Sequence, residues 1–433
     1  MRFLGIGDGN DLGAMYLALE AEGHRCRVFI ADEEAGDTLG GMVTRIRDWR
    51  AELGWIREAG PDGVILFETA HDGVTQDALR REGYQVIGGS ALGDRLESDR
   101  AFGQEVLRAA GLQVAATHAF DEVGAAIDFV RRRPGRYVFK LAGGYVSTSN
   151  YVGGMADGSD MMAYLAHQTR ALGERISFVL MEHLSGVEIG VGAYFDGEGF
   201  LEPACLDWEH KRFFPGDLGE LTGEMGTLVT YRDSRRLFEA TLARLTGVLA
   251  ASGYVGYVNL NTIVNQDGVW PLELTCRFGY PGFPILSALH RCGWSDIFRR
   301  MVGRDRSAPF PTHDGYAVGV VVTVPPFPYS EGYEELSKGL PVTLIDLSDE
   351  DRRHIHLSEV ALEGGQLVTA GMIGYILVVT GRGTTPEEAR AEAYARVGKV
   401  YIPNMRYRND IGVRFLSEDR SRLEALGWIG GPG

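Results

Sequence analysis

The chain has 433 residues and a formal net charge of −16, which argues against a protein that wraps nucleic acid or presents a basic face to a membrane. Its length suits about two to four domains rather than one core, and no apolar run is long enough to span a bilayer. Four scattered cysteines and an N-terminus without the regions of a signal peptide predict a reducing, cytoplasmic setting.

The first ninety residues alternate between predicted strands and a predicted helix. The segments are strands at 2–6, 26–31 and 63–67 and a helix at 11–22 that ends at Gly23. Such alternation is typical of a small doubly wound α/β unit, which ends near residues 86–89.

The middle of the chain contains both helical and strand-like hydrophobic patterns. We predict a helix at 96–110, strands at 136–140 and 176–181, helices at 158–173 and 234–252, and a β-hairpin at 257–264 and 269–274. Asp267-Gly268 is a strong signal for the hairpin turn. Two prolines mark 307–314 as a linker, and strands at 316–324 and 374–380 precede a helix opened by Thr385-Pro386.

Lys140 stands at the end of an apolar strand and before a segment rich in glycine and serine, residues 142–149. A cation beside a glycine loop suits a nucleotide phosphate, because the loop's N–H groups can close over the phosphate oxygens. The alternative interpretation is a surface lysine beside a turn.

A second motif follows the strand at 176–181. The connector at Glu182, His183 and Leu184 offers backbone groups that can hydrogen-bond an adenine, and Glu188 can accept from ribose hydroxyls; an ordinary strand–turn–strand is the alternative.

A third motif, Glu209-His210-Lys211-Arg212, places three basic residues together in an acidic protein. Such a group predicts either a clamp on phosphate or carboxylate oxygens or a solvated face.

The hairpin carries the oxygen ligands of a predicted metal site. Asn261 lies on its first strand, and Glu273 and Thr275 lie two apart on its second strand, so both face the same side. Oxygen ligands on adjacent strands suit Mg²⁺ that also holds waters and ATP phosphates, with Mn²⁺ as the alternative metal. Arg277 follows two residues after Thr275 and adds a cation beside the predicted metal. The alternative to a metal site is an amphipathic hairpin with one polar face.

These motifs, in this order, resemble the ATP-grasp superfamily and, within it, the phosphoribosylamine–glycine ligase (glycinamide ribonucleotide synthetase) family. The resemblance spans about residues 84–415. Its strongest elements are Leu96-Glu97-Ser98-Asp99-Arg100-Ala101-Phe102, Glu209-His210-Lys211-Arg212, Leu221-Thr222-Gly223-Glu224-Met225-Gly226, Leu272-Glu273-Leu274-Thr275-Cys276-Arg277-Phe278-Gly279, 381–391 and Tyr407-Arg408-Asn409-Asp410-Ile411-Gly412.

The resemblance implies an ATP-grasp fold of mixed α/β and α+β class. It has an N-terminal doubly wound α/β domain at 1–92, an ATP-grasp core at 93–133 and 187–305, and a small ATP lid subdomain at 134–186. A C-terminal β-rich domain at 315–415 and a tail at 416–433 complete the chain. The partners implied are a small-molecule carboxylate and an amine, with no nucleic acid and no membrane, bound by a monomer or homodimer.

The resemblance also implies residue roles, in which Arg100 replaces the usual lysine and Thr275 the usual asparagine of the family. ATP contacts are implied for Arg100, Lys140, Glu182, His183, Leu184, Glu188 and His210. Metal ligands are implied at Asn261, Glu273 and Thr275, and catalytic cations at Lys211, Arg212 and Arg277.

Departures from the family pattern concentrate on the substrate side. The N-terminal glycine loop, 7–11, carries Asp8 and Asp11 and no cation, which disfavours a phosphate there. Residues 67–71 and 280–282 also differ from the family's signatures, and the loop after Lys140 lacks a further lysine. We therefore expect a C–N bond-forming ligase that proceeds through an acyl phosphate, with an altered substrate pair.

Three other hypotheses stay open from the sequence. The protein is the purine-biosynthetic phosphoribosylamine–glycine ligase itself, or it is a nucleotide-binding protein that kept the fold and lost catalysis, which the presence of Arg100 and Thr275 supports. A dinucleotide-dependent oxidoreductase is a weaker alternative, because the loop after the first strand lacks the third glycine of the fingerprint.

Overall fold

A computed structural model describes residues 1–141, 150–172 and 175–430. The loop at 142–149, which the sequence analysis assigns to phosphate contacts, lies outside the described residues. Among the described helices, none combines the length and apolar character that crossing a membrane requires.

The N-terminal residues form a four-stranded parallel sheet in the order β2-β1-β3-β4. Its strands are β1 (Arg2–Gly7), β2 (Arg25–Ile30), β3 (Gly63–Phe67) and β4 (Gln85–Ile87), with helices α1 (Gly13–Ala21), α2 (Leu53–Glu58) and α3 (Gly73–Arg81). All five residues of β3 are buried, as expected for a parallel strand covered on both faces. The doubly wound α/β unit is confirmed.

Two helices, rather than one, follow this sheet. The predicted helix at 96–110 is divided into α4 (Ala91–Ser98) and α5 (Arg100–Ala109). Asp99 separates them with a non-helical backbone, and its side chain accepts a hydrogen bond from the Phe102 amide as the cap of α5. Aspartate favours this capping position over a helix interior, so the prediction of one continuous helix was wrong.

The lid layer is a four-stranded sheet with two helices on it. The strand order is β5-β8-β6-β7, with β5 (Thr117–Glu122), β6 (Tyr137–Leu141), β7 (Tyr151–Val152), β8 (Arg175–Glu182), α6 (Val123–Arg132) and α7 (Ser159–Leu172). The predicted lid range, 134–186, omits β5 and α6. Strand β5 has no regular alternation of buried and exposed residues, so the strand pattern does not reveal it.

An eight-stranded antiparallel sheet in the order β15-β14-β9-β10-β13-β16-β21-β18 forms the centre of the molecule. Its strands are β9 (Val187–Asp196), β10 (Cys205–Glu209), β13 (Gly226–Thr230), β14 (Val255–Asn265), β15 (Gly268–Thr275), β16 (Tyr316–Thr323), β18 (Ile355–Leu357) and β21 (Tyr375–Gly383). The predicted hairpin corresponds to β14 and β15. The predicted C-terminal range, 315–415, adds β16, β18 and β21 to this same sheet.

The remaining elements border the central sheet. The short strands are β11 (Arg212–Phe214), β12 (Leu218–Leu221), β17 (Thr343–Leu344), β19 (Val360–Glu363), β20 (Gln366–Thr369) and β22 (Val400–Tyr401). The helices are α8 (Ser234–Ala240), α9 (Thr246–Ala251), α10 (Gly282–Ser287), α11 (Trp294–Gly303), α12 (Tyr333–Leu336), α13 (Asp349–Arg353), α14 (Pro386–Val397) and α15 (Arg420–Ala425).

The helix predicted at 234–252 is interrupted. Thr241 has a non-helical backbone between α8 and a 3₁₀ turn at 242–245, after which α9 begins. The Thr241 hydroxyl donates to the Leu237 carbonyl at 2.5 Å, a back-bond that competes with regular helix geometry. The prediction of one long helix was therefore wrong, whereas the helix opened by Thr385-Pro386 is present with a full capping box.

Candidate active site

Strand register brings polar residues from separate parts of the chain onto one face of the central sheet. Asp207 on β10 pairs with Gly190 on β9, Gly190 pairs with Asn261 on β14, and Asn261 pairs with Glu273 on β15. Directly paired residues of antiparallel strands point to the same side. Three polar side chains thus form one row across four strands, with a glycine between the first two.

Glu273 is the centre of a charge network on this face. Its Oε2 accepts from Arg100 Nη1 at 2.5 Å and lies 3.5 Å from Lys140 Nζ, while its Oε1 accepts from Lys211 Nζ at 3.3 Å. The three cations come from α5, from β6 of the lid layer and from the segment after β10. One carboxylate therefore joins the three parts of the predicted nucleotide site.

The pKa values of these groups follow from their contacts. Lys140, and then Lys211 and Arg100, hold the pKa of Glu273 well below its usual value. Burial lowers the pKa of Lys140, although Glu273 opposes this effect. The pKa of Lys211 is raised well above its usual value, because Glu209, Glu273 and Glu188 together outweigh its burial. Glu273 is therefore held in its ionised form and Lys211 in its protonated form.

The hairpin supplies an oxygen-rich edge that fits a divalent cation. Asn261 Nδ2 donates to Glu188 Oε1 at 2.8 Å, a contact that does not use its amide oxygen. Thr275 lies on the same strand as Glu273 but pairs with Asn259 rather than with Asn261. The donor set of a carboxylate, an amide and a hydroxyl suits Mg²⁺ that keeps waters and phosphate oxygens as further ligands.

The residues predicted to contact adenine, 182–184, lie at the connection between the lid layer and the central sheet. The amides of Glu182 and His183 donate to the carbonyls of Ala116 and Arg136 at 3.0 Å each, which fixes the path of the chain. Leu184 continues this connector and borders a pocket of about 640 Å³ together with the hairpin turn and the tail residue Arg422. Glu188 follows on β9, 3.8 Å from Lys211 Nζ.

His210 and Arg212 have their hydrogen-bond partners outside the Glu273 network. The His210 side chain is buried on the opposite side of the segment, where its Nε2 accepts from the Gly412 amide at 3.3 Å, and burial lowers its pKa to about 4. Arg212 begins the β11–β12 hairpin and donates to the Gly219 carbonyl at 2.6 Å. In an extended segment successive side chains alternate in direction, so Glu209 and Lys211 face the cavity while their neighbours do not.

A cavity of about 660 Å³ lies between the charge network and the N-terminal sheet. Arg277 borders it and donates from Nε to Glu97 Oε1 at 3.0 Å, so the predicted catalytic arginine is held by α4. The N-terminal layer contributes Asp11 and the segment Thr69–His71. Burial raises the pKa of Asp11, although the nearby Arg277 opposes this.

The two acids of the N-terminal loop, Asp8 and Asp11, have different surroundings. Asp11 lines the cavity, whereas Asp8 lies beside His71, with Oδ2 3.0 Å from the His71 Nε2. Glu68 is fully buried beneath the loop and accepts from the Tyr16 hydroxyl at 2.6 Å. Burial, reinforced by Asp11, raises the pKa of Glu68 to about 8, so this carboxyl supports the loop and is not a ligand-facing group.

Three further residues of the cavity wall were not predicted from the sequence. Asp207, Asn259 and Glu224 all line it. Asp207 is two residues before Glu209 on β10, so strand alternation could have placed it on the active face. Asn259 is similarly two residues before Asn261, whereas Glu224 lies in the irregular segment before β13, where no periodicity indicates a side-chain direction.

Comparisons with known proteins agree with this architecture. Residues 98–283 match the model for the ATP-grasp (A) domain of phosphoribosylglycinamide synthetase, and residues 317–414 match the model for its C domain. A phosphoribosylamine–glycine ligase of Neisseria meningitidis serogroup B is 27% identical, with 96% of this chain and 100% of the relative covered. The ligase of Corynebacterium ammoniagenes is 28% identical over 95% and 97% of the two chains.

A solved structure supports the fold independently. The crystal structure of phosphoribosylamine–glycine ligase from Thermotoga maritima is similar with a TM-score of 0.72 and 21% identity, and the alignment covers 95% of this chain and 100% of that chain. Together the two domain models cover both the charge network and the C-terminal strands of the central sheet. The chain belongs to the phosphoribosylglycinamide synthetase family of ATP-grasp proteins, and it is an ATP-grasp carboxylate–amine ligase.

Proposed function

We propose that the protein joins glycine to phosphoribosylamine, with ATP consumed to activate the glycine carboxylate as an acyl phosphate. The single observation that carries the ATP-dependent chemistry is the convergence of Arg100, Lys140 and Lys211 on Glu273. The substrate pair is supported by two relatives named phosphoribosylamine–glycine ligase, from Neisseria meningitidis and Corynebacterium ammoniagenes. This chain aligns with almost the whole length of each.

The residues fit bound ATP and Mg²⁺, which supply the phosphoryl group and neutralise its charge. In the proposal Glu273 and Asn261 hold the metal, with Thr275 beside them. Arg100, Lys140 and Lys211, which contact Glu273 in the protein alone, would bind the phosphate oxygens. Because these cations are already gathered in the protein, little reorganisation is needed to form a phosphate site. The connector at 182–184 binds the adenine, and Glu188 binds the ribose.

The chain's own groups then act by position and charge. A carboxylate is a poor electrophile at neutral pH, and its activated form hydrolyses readily, so the site must exclude water. The lid layer reaches the site through Lys140, and in this proposal it excludes water by covering the bound substrates. Arg277, fixed by Glu97, stabilises negative charge on the reacting carboxyl group, and the amine attacks from the side of the N-terminal layer.

A second candidate function has a specific observation in its favour. The cavity wall carries Asp11, Asp207 and Glu224, and acids disfavour a phosphate-bearing substrate in their vicinity. A ligase of the same chemistry with another acid or another amine would fit this wall. This is the altered substrate pair expected from the sequence, and the comparisons favour it less than phosphoribosylamine and glycine.

The test is a coupled assay of ADP formation with ATP, Mg²⁺, glycine and freshly generated phosphoribosylamine. We expect turnover by the wild type and its loss in Lys211→Ala, with Arg235→Ala as the matched control, since the Arg235 side chain is 84% exposed on α8. ADP formation that needs another acid–amine pair would favour the second candidate. Failure with every pair would contradict ligase activity.

A further inference from the structure

The cavity has a second polar end, formed by Asp207, Glu224 and Thr227. Asp207 lies on β10, Thr227 lies on the neighbouring strand β13, and Glu224 lies just before that strand. All three line the cavity, although their residues are only 6%, 7% and 2% exposed. These side chains are therefore removed from bulk water yet border a space that a ligand can enter.

Each of these side chains presents an unused acceptor. Asp207 Oδ1, Glu224 Oε1 and Thr227 Oγ1 have no hydrogen-bond partner in the described part of the chain. The other oxygen of Asp207 accepts from Asn259 Nδ2 at 2.7 Å, which fixes the orientation of the carboxylate. Because an unsatisfied buried polar atom destabilises a folded protein, three of them on one wall indicate a site for a ligand that donates hydrogen bonds.

The charge of this end is also unbalanced. Lys211 is the nearby cation, but its Nζ lies 3.0 Å from Glu209, 3.3 Å from Glu273 and 3.8 Å from Glu188. No salt bridge to Asp207 or Glu224 occurs within residues 1–141, 150–172 and 175–430. Burial, and then the charge of Glu209, raises the pKa of both carboxyls, to about 7 for Asp207.

The backbone of β9 makes room for this arrangement. A Cβ atom at Gly190 would lie 2.0 Å from Asp207 Oδ1, closer than any van der Waals contact. Glycine at this position allows the Asp207 carboxylate to lie over β9 and accept from Asn259 on β14. The acceptor end is therefore built by the strand itself and does not depend on a flexible surface side chain.

We propose that Asp207, Glu224 and Thr227 form a subsite for an ammonium group of a substrate. An ammonium group carries three N–H donors, which match the three unused acceptors, and a positive charge, which favours the ionised form of two carboxyls that have no salt bridge within the described residues. A metal ion is the competing occupant, and titration with Mg²⁺ or Mn²⁺ alone distinguishes the two.

This inference rests on the proposed function, because only a ligase of acids and amines brings such groups into the cavity. Two sources of the ammonium are compatible with that chemistry. One is the amino group of an amino acid whose carboxylate lies toward Lys211. The other is the acceptor amine, which enters in its protonated form.

The experiment measures binding by calorimetry with the full chain, Mg²⁺ and a non-hydrolysable ATP analogue. One series compares glycine, β-alanine and 4-aminobutyrate with acetate, propionate and butyrate. A second series compares ethanolamine with ethylene glycol. We expect the wild type to prefer the ammonium-bearing compounds by about ten- to hundredfold, the usual strength of a hydrogen bond to a charged group. A preference in the acid series assigns the subsite to the acid, and one in the amine series alone assigns it to the acceptor.

The variant Asp207→Asn/Glu224→Gln removes both charges and keeps the side-chain shapes. It should lose the preference, whereas Glu239→Gln, which removes one charge from the exposed surface of α8, should keep it. If the double variant does not fold, Asp207→Asn alone serves the same comparison. The proposal is wrong if the wild type shows no preference, if the variant retains it, or if Mg²⁺ or Mn²⁺ alone titrates the site in the wild type but not in the variant.

Failure of this proposal and failure of the proposed function are distinguishable. A protein that forms ADP with an acid and an amine but shows no ammonium preference contradicts only the subsite. A protein that prefers ammonium-bearing compounds but forms no ADP with any pair contradicts only the ligase assignment.

Discussion

Arg100 Nη1, at the start of α5, lies 2.5 Å from Glu273 Oε2 on β15. This contact binds the helix that follows the N-terminal sheet to the strand that carries the predicted metal ligand. Lys140 and Lys211 contact the same carboxylate. In the absence of nucleotide, Glu273 therefore holds together three cations that would otherwise repel one another, and we expect it to serve stability as well as chemistry.

Replacement of Glu273 by Gln should impair both properties. Three partly buried cations would lose their counter-charge, and removing one partner of a buried ion pair costs about 3–5 kcal/mol, toward the lower end here because Glu273 is 31% exposed. ADP formation should fall by at least about a hundredfold, as for other removed electrostatic groups. Thermal unfolding and the coupled assay measure the two effects; an unchanged melting temperature would show that the network is not stabilising.

The low pKa of Glu273 gives the network a defined pH dependence. A carboxyl whose pKa is lower in the folded state contributes stability that is present above its unfolded pKa, about 4.3, and is lost as pH falls through its folded pKa. The stability difference between wild type and Glu273→Gln should therefore be constant from pH 6 to 8 and shrink only below about pH 4. Urea unfolding at a series of pH values tests this, and a difference that vanishes already at pH 6 would contradict it.

Asp207→Asn should stabilise the ligand-free protein. The pKa of Asp207 is raised to about 7, so the folded state is penalised as pH rises from the unfolded pKa of about 3.9 through 7. The titratable and charged groups facing it are Glu209, Lys211, Glu188 and Glu224. The stability advantage of the variant over the wild type should grow by about 1–3 kcal/mol from pH 4 to pH 8. An advantage that does not change over this range would show that the pKa of Asp207 is the same in the folded and unfolded states.

Gly190→Ala should disturb the protein through Asp207. The added methyl group would meet the Asp207 carboxylate at 2.0 Å, so one of the two must move. Removal of that carboxylate in Gly190→Ala/Asp207→Ala should recover part of the loss. A double-mutant cycle in urea should give a coupling energy of about 0.5–3 kcal/mol, and additive effects would contradict the predicted clash.

Glu359→Gln should loosen the wall of the cavity from a distance. The buried Glu359 carboxylate accepts from the amides of residues 372–375, including Gly374 at 2.6 Å. This turn holds Tyr375 against Tyr280, with ring centroids 5.0 Å apart, and Tyr280 lines the cavity. A Gln side chain offers N–H groups to those donors, so we expect a loss of about 1–3 kcal/mol together with a raised KM. Leu362→Ala, on the exposed end of β19, is the control and should change neither.

Much of the fold was predictable because its signals are local. Asp267-Gly268 indicates the hairpin turn, and the alternation of Glu273 and Thr275 places both on one face. The interruptions at Asp99 and Thr241 were not predictable, because a single capping or back-bonding side chain decides them. At both positions a side-chain hydrogen bond competes with the backbone hydrogen bonds of the helix. The spacing of apolar residues does not reveal this competition.

The site divides along the same lines. Glu273 and Lys211 stand at strand ends, so sequence order and alternation locate them. The roles of His210 and Arg212 stay predictions: the motif was treated as one group, but neighbouring extended residues point in opposite directions, and neither side chain lines the cavity. The position of the Glu224 side chain depends on how an irregular segment packs against β10. This tertiary contact cannot be predicted from local sequence patterns.

The most direct test of ATP-dependent ligation through an acyl phosphate uses glycine labelled with ¹⁸O in its carboxylate, with phosphoribosylamine as acceptor. When the activated carboxyl group is attacked by the amine, one carboxylate oxygen leaves with the phosphate. Mass spectrometry of the released phosphate should therefore show one ¹⁸O atom per turnover, and Lys211→Ala should release none. Turnover that yields phosphate without ¹⁸O would contradict the acyl phosphate and with it the role assigned to the Glu273 network.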